Sequence, residues 1–423
     1  MKALAKPSAY GLTSLTALVI ANMIGAGVFT TSGFALADLH TPERVLLAWA
    51  VAGGIALCGA FAYGALAEVL KESGGEYLYL SRLVHPAVGF VAGWVSLLAG
   101  FTGAIAFAAL TLEAYVYPSH GWLAAGSIVL AAFLHGIYKA PGAWVQNAMV
   151  GIKLLLLLWL PLAAMGSYGT YEGLDMGALP PYKPSSFAES LLWISLSYAG
   201  FNAAIYVRGE AASGQAVKRA LLIGTAITTV FYLLLNRVFV DTAPFVDVAG
   251  QPQVAAIAVK SLGQPFTTAL FNFVVPLALF TSVSAMMLAG PRVYAQMAND
   301  GRFPKGLRFA EDAAPPRQAI WFQAAIALVV VGISSIRELL TYLSLTLALS
   351  SVTAVASLFV VKRRQRAHVS VLSLTGAALY IVMTLFTACI GAWLNPWQGL
   401  ACLITIITGY AAYHISSQRH SFP

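Results

Sequence analysis

The stretch "VIANMIGAGVFTTSGF" (residues 19–34) places Gly25 and Gly27 one residue apart inside an apolar segment. Each glycine costs a helix interior about 1 kcal/mol relative to alanine. A helix interrupted here would leave backbone N–H and C=O groups free to bind a polar ligand. Two other interpretations stay open for this stretch alone. Small residues also allow close helix packing, and a nucleotide fingerprint is a weaker match, because Thr30 replaces its third glycine and no strand precedes it.

A second apolar stretch, "SLSYAGFNAAIYVRGE" (195–210), carries Ala199 and Gly200 between the polar residues Tyr198 and Asn202. Interrupted segments at corresponding positions of two halves are typical of transporters built from inverted repeats. The free N–H groups at the start of a half-helix attract a carboxylate, and unpaired carbonyls attract an ammonium group. The two breaks together predict a site for the zwitterionic head of an amino acid.

A third candidate is Lys153, within the apolar stretch "VQNAMVGIKLLLLLWLPL" (145–162). A charge inside the bilayer costs about 3 kcal/mol, so an intramembrane lysine is expected to have a function. The alternative is that Lys153 lies near the end of its helix and extends its ammonium group to water.

The composition of the chain is typical of a membrane protein. Of 423 residues, 59% are hydrophobic and 9% charged, against roughly 25% charged residues in soluble domains. The net charge of +8 is not arranged as a basic stripe with aromatic residues, so we expect no nucleic-acid partner. Cys58, Cys389 and Cys402 lie in apolar segments and the histidines are scattered. We therefore expect no disulfide framework, metal, cofactor or catalytic residue.

Twelve apolar segments approach the length of about 20 residues that a membrane-spanning helix needs. Lys and Arg number eighteen in the loops on the side of the N-terminus and five on the other side. This asymmetry predicts that both termini are cytoplasmic. The predicted helices cover residues 12–37, 45–70, 84–117, 122–138, 144–168, 187–207, 217–240, 265–298, 318–334, 338–361, 371–393 and 397–415.

Four motifs occur in an informative order: "MIGAGVF" (23–29), "SGGEYLYL" (73–80), "YAGFN" (198–202) and "RVYAQMANDGRFP" (292–304). With these motifs the sequence resembles the amino acid–polyamine–organocation superfamily, most closely its L-type amino acid transporter branch. The resemblance extends over the first ten predicted helices.

The resemblance implies an all-α integral membrane protein with the LeuT-type five-plus-five inverted repeat. It would have twelve transmembrane helices, of which the first and sixth are broken. The repeats would occupy residues 1–170 and 186–362, and residues 363–423 would hold a basic cytoplasmic loop and two further helices. The implied substrate-binding residues are Met23, Ile24, Gly25, Ala26, Gly27, Leu196, Tyr198, Ala199, Gly200, Phe201 and Asn202.

The resemblance also assigns a role to Lys153. In sodium-independent members of the family, the matching ammonium group takes the position of the sodium ion in sodium-coupled relatives. Lys153 would then bridge the broken first helix to Ser282 and Ser284 of the eighth helix. A fixed cation removes the need for sodium, and both exchange and proton coupling through Lys153 stay open.

The expected function is therefore secondary transport of neutral L-amino acids by alternating access, in a bacterial inner membrane. The two breaks carry no acid or base to pair with a charged side chain, which favours neutral substrates. Alternatives are an exporter, a carrier of polyamines or cationic amino acids, and a membrane sensor. Leu196 stands where the family often has an aromatic gate. "YPSHG" (117–121) lacks the cysteine with which animal members bind a subunit, so no disulfide-linked partner is expected.

Overall fold

The computed structural model describes residues 10–72, 75–118, 120–136, 143–168, 181–299, 301, 303, 317–365 and 369–418. Within these ranges the chain is helical, apart from loops and one isolated bridge between Tyr10 and Ala211. Residues 73 and 74 of "SGGEYLYL", and residues 300, 302 and 304 of "RVYAQMANDGRFP", lie outside the described residues.

The described residues form a series of helices. Their bounds are α1 Leu12–Met23, α2 Ala26–Leu39, α3 Pro42–Val69, α4 Gly75–Leu83, α5 Pro86–Val95, a π-helical stretch Ser96–Gly103, α6 Ala104–Val116, α7 Trp122–Gly136, α8 Ala143–Ala163, α9 Pro184–Ser197, a 3₁₀ helix Ala203–Glu210, α10 Gly214–Asp241, α11 Phe245–Val248, α12 Val254–Ser261, α13 Pro265–Asn299, α14 Arg317–Ile333, α15 Ile336–Gln365, α16 Val371–Leu394 and α17 Pro396–Gln418.

All twelve predicted apolar segments are helical over most of their length. Within the described residues, seven helices are long and apolar enough to cross a membrane, and the number is eight if the bent pair α1 and α2 is counted as one span. Shorter apolar helices are α7, residues Val150–Ala163 of α8, and α14. The predicted sixth segment consists of α9 and the 3₁₀ helix. The chain is thus an all-helical, multi-pass membrane protein, as the sequence predicted.

Both predicted helix breaks are confirmed. α1 ends at Met23, α2 begins at Ala26, and the two axes differ in direction by 46°. Gly25, between them, has an extended backbone that cannot continue a helix. In the second stretch α9 ends at Ser197, and a turn containing Gly200 leads into the 3₁₀ helix. Both interruptions fall in the middle of their apolar segments.

The short helix α4 lies between the spans α3 and α5 and packs closely against α5. A Cβ added at Gly89 of α5 would lie 2.6 Å from the backbone nitrogen of Ser81 and 2.6 Å from the carbonyl oxygen of Tyr77. Only a glycine allows this approach of the two backbones. The contact holds α4 against α5. One side chain of α4, that of Glu76, lines the cavity described in the next section.

We predict that Gly89→Ala lowers the free energy of unfolding by about 1–3 kcal/mol, because the new methyl group overlaps backbone atoms that cannot rotate away. Thermal unfolding in detergent, followed by tryptophan fluorescence, measures the change. Gly126→Ala is the matched control, since its Cβ would meet nothing within 4 Å. An unchanged midpoint for Gly89→Ala would contradict the close packing of α4 and α5.

Candidate functional site

The two helix breaks lie against each other. Gly200 has a φ of +103°, a left-handed conformation that favours glycine. A Cβ at this position would also lie 2.7 Å from the carbonyl oxygen of Asn22 and 3.2 Å from the nitrogen of Met23. On the other side, a Cβ at Gly27 would lie 3.1 Å from the Cα of Ser197. The glycines of the two breaks therefore allow two stretches of irregular backbone to touch.

The carbonyl groups left at the breaks have partners from two other helices. Lys153 of α8 donates from Nζ to the carbonyl oxygen of Ile24 at 2.6 Å. The hydroxyl of Tyr232, on α10, lies 2.6 Å from the carbonyl oxygen of Met23 and 2.8 Å from that of Ser197. Its single hydrogen is shared between the last carbonyls of two half-helices. Inside a membrane protein such groups need internal partners, because no lipid can supply them.

The first N–H groups of α2 have no side-chain cap, because the capping position is Gly25. Uncapped N–H groups at a helix start carry partial positive charge and favour an anionic ligand. The break in the first helix thus offers donors at the start of α2, beside carbonyls held by Lys153 and Tyr232.

Lys153 is 6% exposed, so its ammonium group lies within the protein and does not extend to water. Its hydrogen bond reaches the first break, as expected. Ser282 donates instead to the carbonyl oxygen of Ala278 in its own helix, at 3.1 Å. Ser284 lies 2.7 Å from Nε2 of His135. Among the hydrogen bonds of the described residues, neither serine pairs with Lys153.

A cavity of about 830 Å³ lies beside the breaks. Six of the predicted residues line it: Leu196, Tyr198, Ala199, Gly200, Phe201 and Asn202. The other predicted residues, Met23, Ile24, Gly25, Ala26 and Gly27, are not among those that line it, and the first helix contributes Leu18 and Asn22 instead. Whether these residues bind substrate stays a prediction.

Several polar lining residues were not predicted as site residues. They are Glu76, Ser96, Ser344, Ser351, Tyr380 and Thr384. Glu76 belongs to the quoted motif "SGGEYLYL", which gave no sign that its carboxylate points into the cavity. Tyr380 and Thr384 belong to α16, one of the two helices expected to lie outside the repeats. Their position in the cavity wall depends on how α16 packs against the other helices, and no local sequence pattern predicts that packing.

The aromatic residues near Leu196 are held by packing. Tyr198 is 1% exposed and its hydroxyl donates to the carbonyl oxygen of Trp49 at 3.0 Å. The ring of Phe201 contacts those of Tyr63 and Tyr380, with centroids 5.5 and 6.2 Å apart. Phe201 therefore forms part of the cavity wall facing α3 and α16, and Tyr198 anchors the turn to α3.

The cavity opens toward the face at which α1 begins. Asn22, Tyr206 and Glu210, which line it, are all exposed. By contrast α2 is buried continuously from Ala26 to Leu36. The cavity is therefore open along α1 and the 3₁₀ helix, and covered along α2.

The opposite face, at which α2 ends, is closed by direct contacts. Arg337, at the start of α15, donates to the carboxylate of Asp38 at 2.8 Å. Its guanidinium group also lies 4.8 Å from the ring centroid of Trp193. In addition, the N–H of Gly250 donates to the carbonyl oxygen of Gly33 at 2.7 Å. These contacts join α2 to α15 and to the loop before α12.

Glu76 is the buried acid of the cavity. Its Oε1 accepts hydrogen bonds from the hydroxyl of Tyr63 and from Nδ2 of Asn202, the latter at 3.2 Å. Its Oε2 accepts from Oγ of Ser350 at 3.0 Å. Burial raises the pKa of the Glu76 carboxyl, and these hydrogen bonds act in the opposite direction. One carboxylate thus joins α3, the second break and α15.

A helical membrane protein with two interrupted helices meeting beside a central cavity has the architecture of a secondary transporter. The comparison with protein families identifies the kind of transporter. The family model described as "Amino acid permease" matches residues 10–409, and the chain belongs to this family. Its function class is accordingly amino acid transport across a membrane.

Individual relatives are distant. The mouse b(0,+)-type amino acid transporter 1 is 23% identical over 96% of this chain and 87% of its own length. An uncharacterized transporter of Mycobacterium tuberculosis is 29% identical over 75% of this chain and 70% of its own length. Mouse solute carrier family 7 member 12 is 25% identical over 80% of this chain and 76% of its own length.

We predict that Tyr232→Phe lowers the free energy of unfolding by about 1–3 kcal/mol, because two buried carbonyl groups lose their shared donor. Thermal unfolding in detergent measures this loss. Tyr410→Phe, which removes a hydroxyl from a tyrosine that is 54% exposed, is the matched control and should leave the midpoint unchanged. Equal midpoints for all three proteins would show that Tyr232 does not hold the two breaks.

Proposed function

We propose that the chain is a sodium-independent secondary transporter that moves neutral L-amino acids by alternating access. The observation that carries this proposal is the hydrogen bond from Lys153 to the carbonyl oxygen of Ile24, at the break of the first helix. It supports a positive charge at the point where the backbone is interrupted.

The two breaks could bind the amino and carboxylate groups that all amino acids share. The uncapped N–H groups at the start of α2 are donors for a carboxylate. The turn at residues 198–202 supplies irregular backbone on the facing side, and its residues line the cavity. Between the two, the backbone would recognise the zwitterionic head, and the cavity would hold the side chain. The family to which the chain belongs supports an amino acid as the substrate.

Sodium independence follows from the position of Lys153. An ammonium group 2.6 Å from a break carbonyl occupies the space in which a metal ion would bind that carbonyl. The electrostatic repulsion between two cations in this buried place would exclude sodium. Exchange and proton coupling are both compatible with a fixed lysine, and transport measurements separate them.

Alternating access is supported by the difference between the two faces. The cavity is open along α1, and the other face is closed by Asp38, Arg337 and the contact of Gly33 with Gly250. The distribution of Lys and Arg supports a cytoplasmic location for the open face. We further propose that the protein lies in a bacterial inner membrane and that residues 1–170 and 186–362 are its two repeats.

A carrier of cationic amino acids or polyamines is a second candidate, and one observation favours it. Among the described residues that line the cavity there are two carboxylates, Glu76 and Glu210, and no basic side chain. A cationic substrate side chain would find a complementary charge there. Competition by lysine and putrescine against a labelled neutral amino acid distinguishes the two candidates.

We predict that the purified protein takes up labelled neutral amino acids into sodium-free liposomes, and that Lys153→Ala reduces this uptake by about 10-fold or more, since a hydrogen bond to a charged group is worth about 1.5–3 kcal/mol. Lys260→Ala, which removes an exposed lysine, is the matched control and should transport like the wild type.

The same liposomes test the alternatives. Uptake that requires amino acid inside the vesicle indicates exchange, and uptake driven by a proton gradient alone indicates symport. Binding of an amino acid to folded protein, with no flux for any substrate, would favour a membrane sensor and contradict the proposed transporter.

A further inference from the structure

Glu76 has a buried negative charge without a cationic partner. It is 9% exposed, and its three hydrogen-bond donors are the uncharged groups of Tyr63, Asn202 and Ser350. Among the described residues no Lys, Arg or His forms an ion pair with it. A buried carboxylate in this situation is stable only if its hydrogen bonds are complete or if it takes up a proton.

The hydrogen-bond partners can accommodate either state. A hydroxyl group both donates and accepts, whereas the amide NH₂ of asparagine only donates. With Glu76 ionised, both oxygens accept, as described above. With Glu76 protonated on Oε2, this oxygen donates to Oγ of Ser350, and Oε1 still accepts from Asn202 and Tyr63. Both states fit one arrangement of heavy atoms, so the site can exchange a proton without repacking.

We propose that Glu76 is a proton-binding site of the transport cycle, linked to substrate binding through Asn202. This inference rests on the proposed function, because it takes residues 198–202 as part of the substrate site. The proton comes from water in the cavity and bonds to Oε2 of the carboxylate. Hydronium is thereby converted to water, and the net charge of the side chain changes from −1 to zero.

The geometry predicts whether substrate binding favours or opposes proton binding at Glu76. Asn202 lines the substrate cavity and donates to Oε1 of Glu76 at 3.2 Å. When a substrate engages Asn202, Glu76 loses one of its three donors, and this loss destabilises the ionised carboxylate more than the protonated form. Substrate binding therefore favours proton binding, and by reciprocity the proton favours substrate binding. This is the sign that symport requires.

Among the groups near this site, Glu76 is the one that we expect to gain or lose a proton near neutral pH. The ordinary pKa of a tyrosine phenol is about 10, so the phenolic neighbours of Glu76 keep their protons near neutral pH, and Arg208 donates to the carbonyl oxygen of Ala67 at 2.6 Å. Burial raises the pKa of the Glu76 carboxyl above its ordinary value. The described charged and titratable groups around Glu76 include Tyr63 of α3, Tyr77, Tyr79 and Arg82 of α4 itself, Glu72 paired with Arg82, His85 before α5, Tyr206, Arg208 and Glu210 of the 3₁₀ helix, and Tyr380 of α16.

The test compares wild type, Glu76→Gln and Glu43→Gln in liposomes. Glutamine keeps the shape of a protonated glutamate and cannot titrate. Glu43, at the start of α3, is an exposed acid that does not line the cavity, and it serves as the matched control. For the wild type and Glu43→Gln, we expect the half-saturation concentration of the substrate to rise about fivefold or more between about pH 5 and pH 8. For Glu76→Gln we expect exchange to continue with a half-saturation concentration that does not depend on pH.

Other outcomes overturn the proposal. A wild type whose half-saturation concentration is constant or falls as the pH rises excludes this linkage, while its uptake still supports the proposed function. A Glu76→Gln variant that retains the pH dependence assigns the proton to another group.

A second measurement does not depend on transport. Infrared difference spectra of folded protein between about pH 5 and pH 8 should contain the carbonyl band of a protonated carboxyl. The band should be weaker in Glu76→Gln than in the wild type, and it should be unchanged in Glu43→Gln. If the band is equally strong in folded Glu76→Gln and in the wild type, the proposal is wrong. Absence of all flux with the Glu76 band present would instead contradict the proposed function alone.

Discussion

Backbone polar groups left unpaired inside a membrane are the constraint on which this structure depends. Interrupting two helices in their apolar centres exposes N–H and C=O groups that lipid cannot satisfy. The chain resolves this by placing the breaks against each other and by donating to their carbonyls from Lys153 and Tyr232. The glycines at 27 and 200 allow the approach, since a side chain at either position would overlap the other break.

The donors and acceptors of the two breaks are satisfied unequally. The carbonyls of Met23, Ile24 and Ser197 are satisfied from α8 and α10, whereas the first N–H groups of α2 have no side-chain cap. This difference is the reason for proposing that the carboxylate of a substrate binds at the start of α2.

Two buried ionisable groups lie on different sides of this centre. Lys153 reaches the first break from α8, and Glu76 reaches the second through Asn202. Each is bonded to a backbone or side-chain group that belongs to a break. Movement of either half-helix would therefore alter the surroundings of an ionisable group, which is the basis on which both proposals connect these groups with transport.

Much of the architecture follows from local pattern. The apolar runs predicted twelve helical segments, and the glycines marked both breaks, because the period and length of a membrane helix and the conformational freedom of glycine are local properties. Lys153 was predicted to have a function because a charge within an apolar segment is costly. The partner it would have on the first helix was implied by resemblance to the family.

The contacts between distant segments depend on the tertiary structure. Glu76 of α4 and Tyr380 and Thr384 of α16 line the cavity, and Ser284 forms its hydrogen bond with His135 rather than with Lys153. It also closed one face with Asp38 and Arg337, which are 299 residues apart. The amino-acid sequence alone determined where the helices lie and where they break. Which side chains meet at those breaks depends on helix packing between distant segments, and packing is set by the whole assembly rather than by any local pattern.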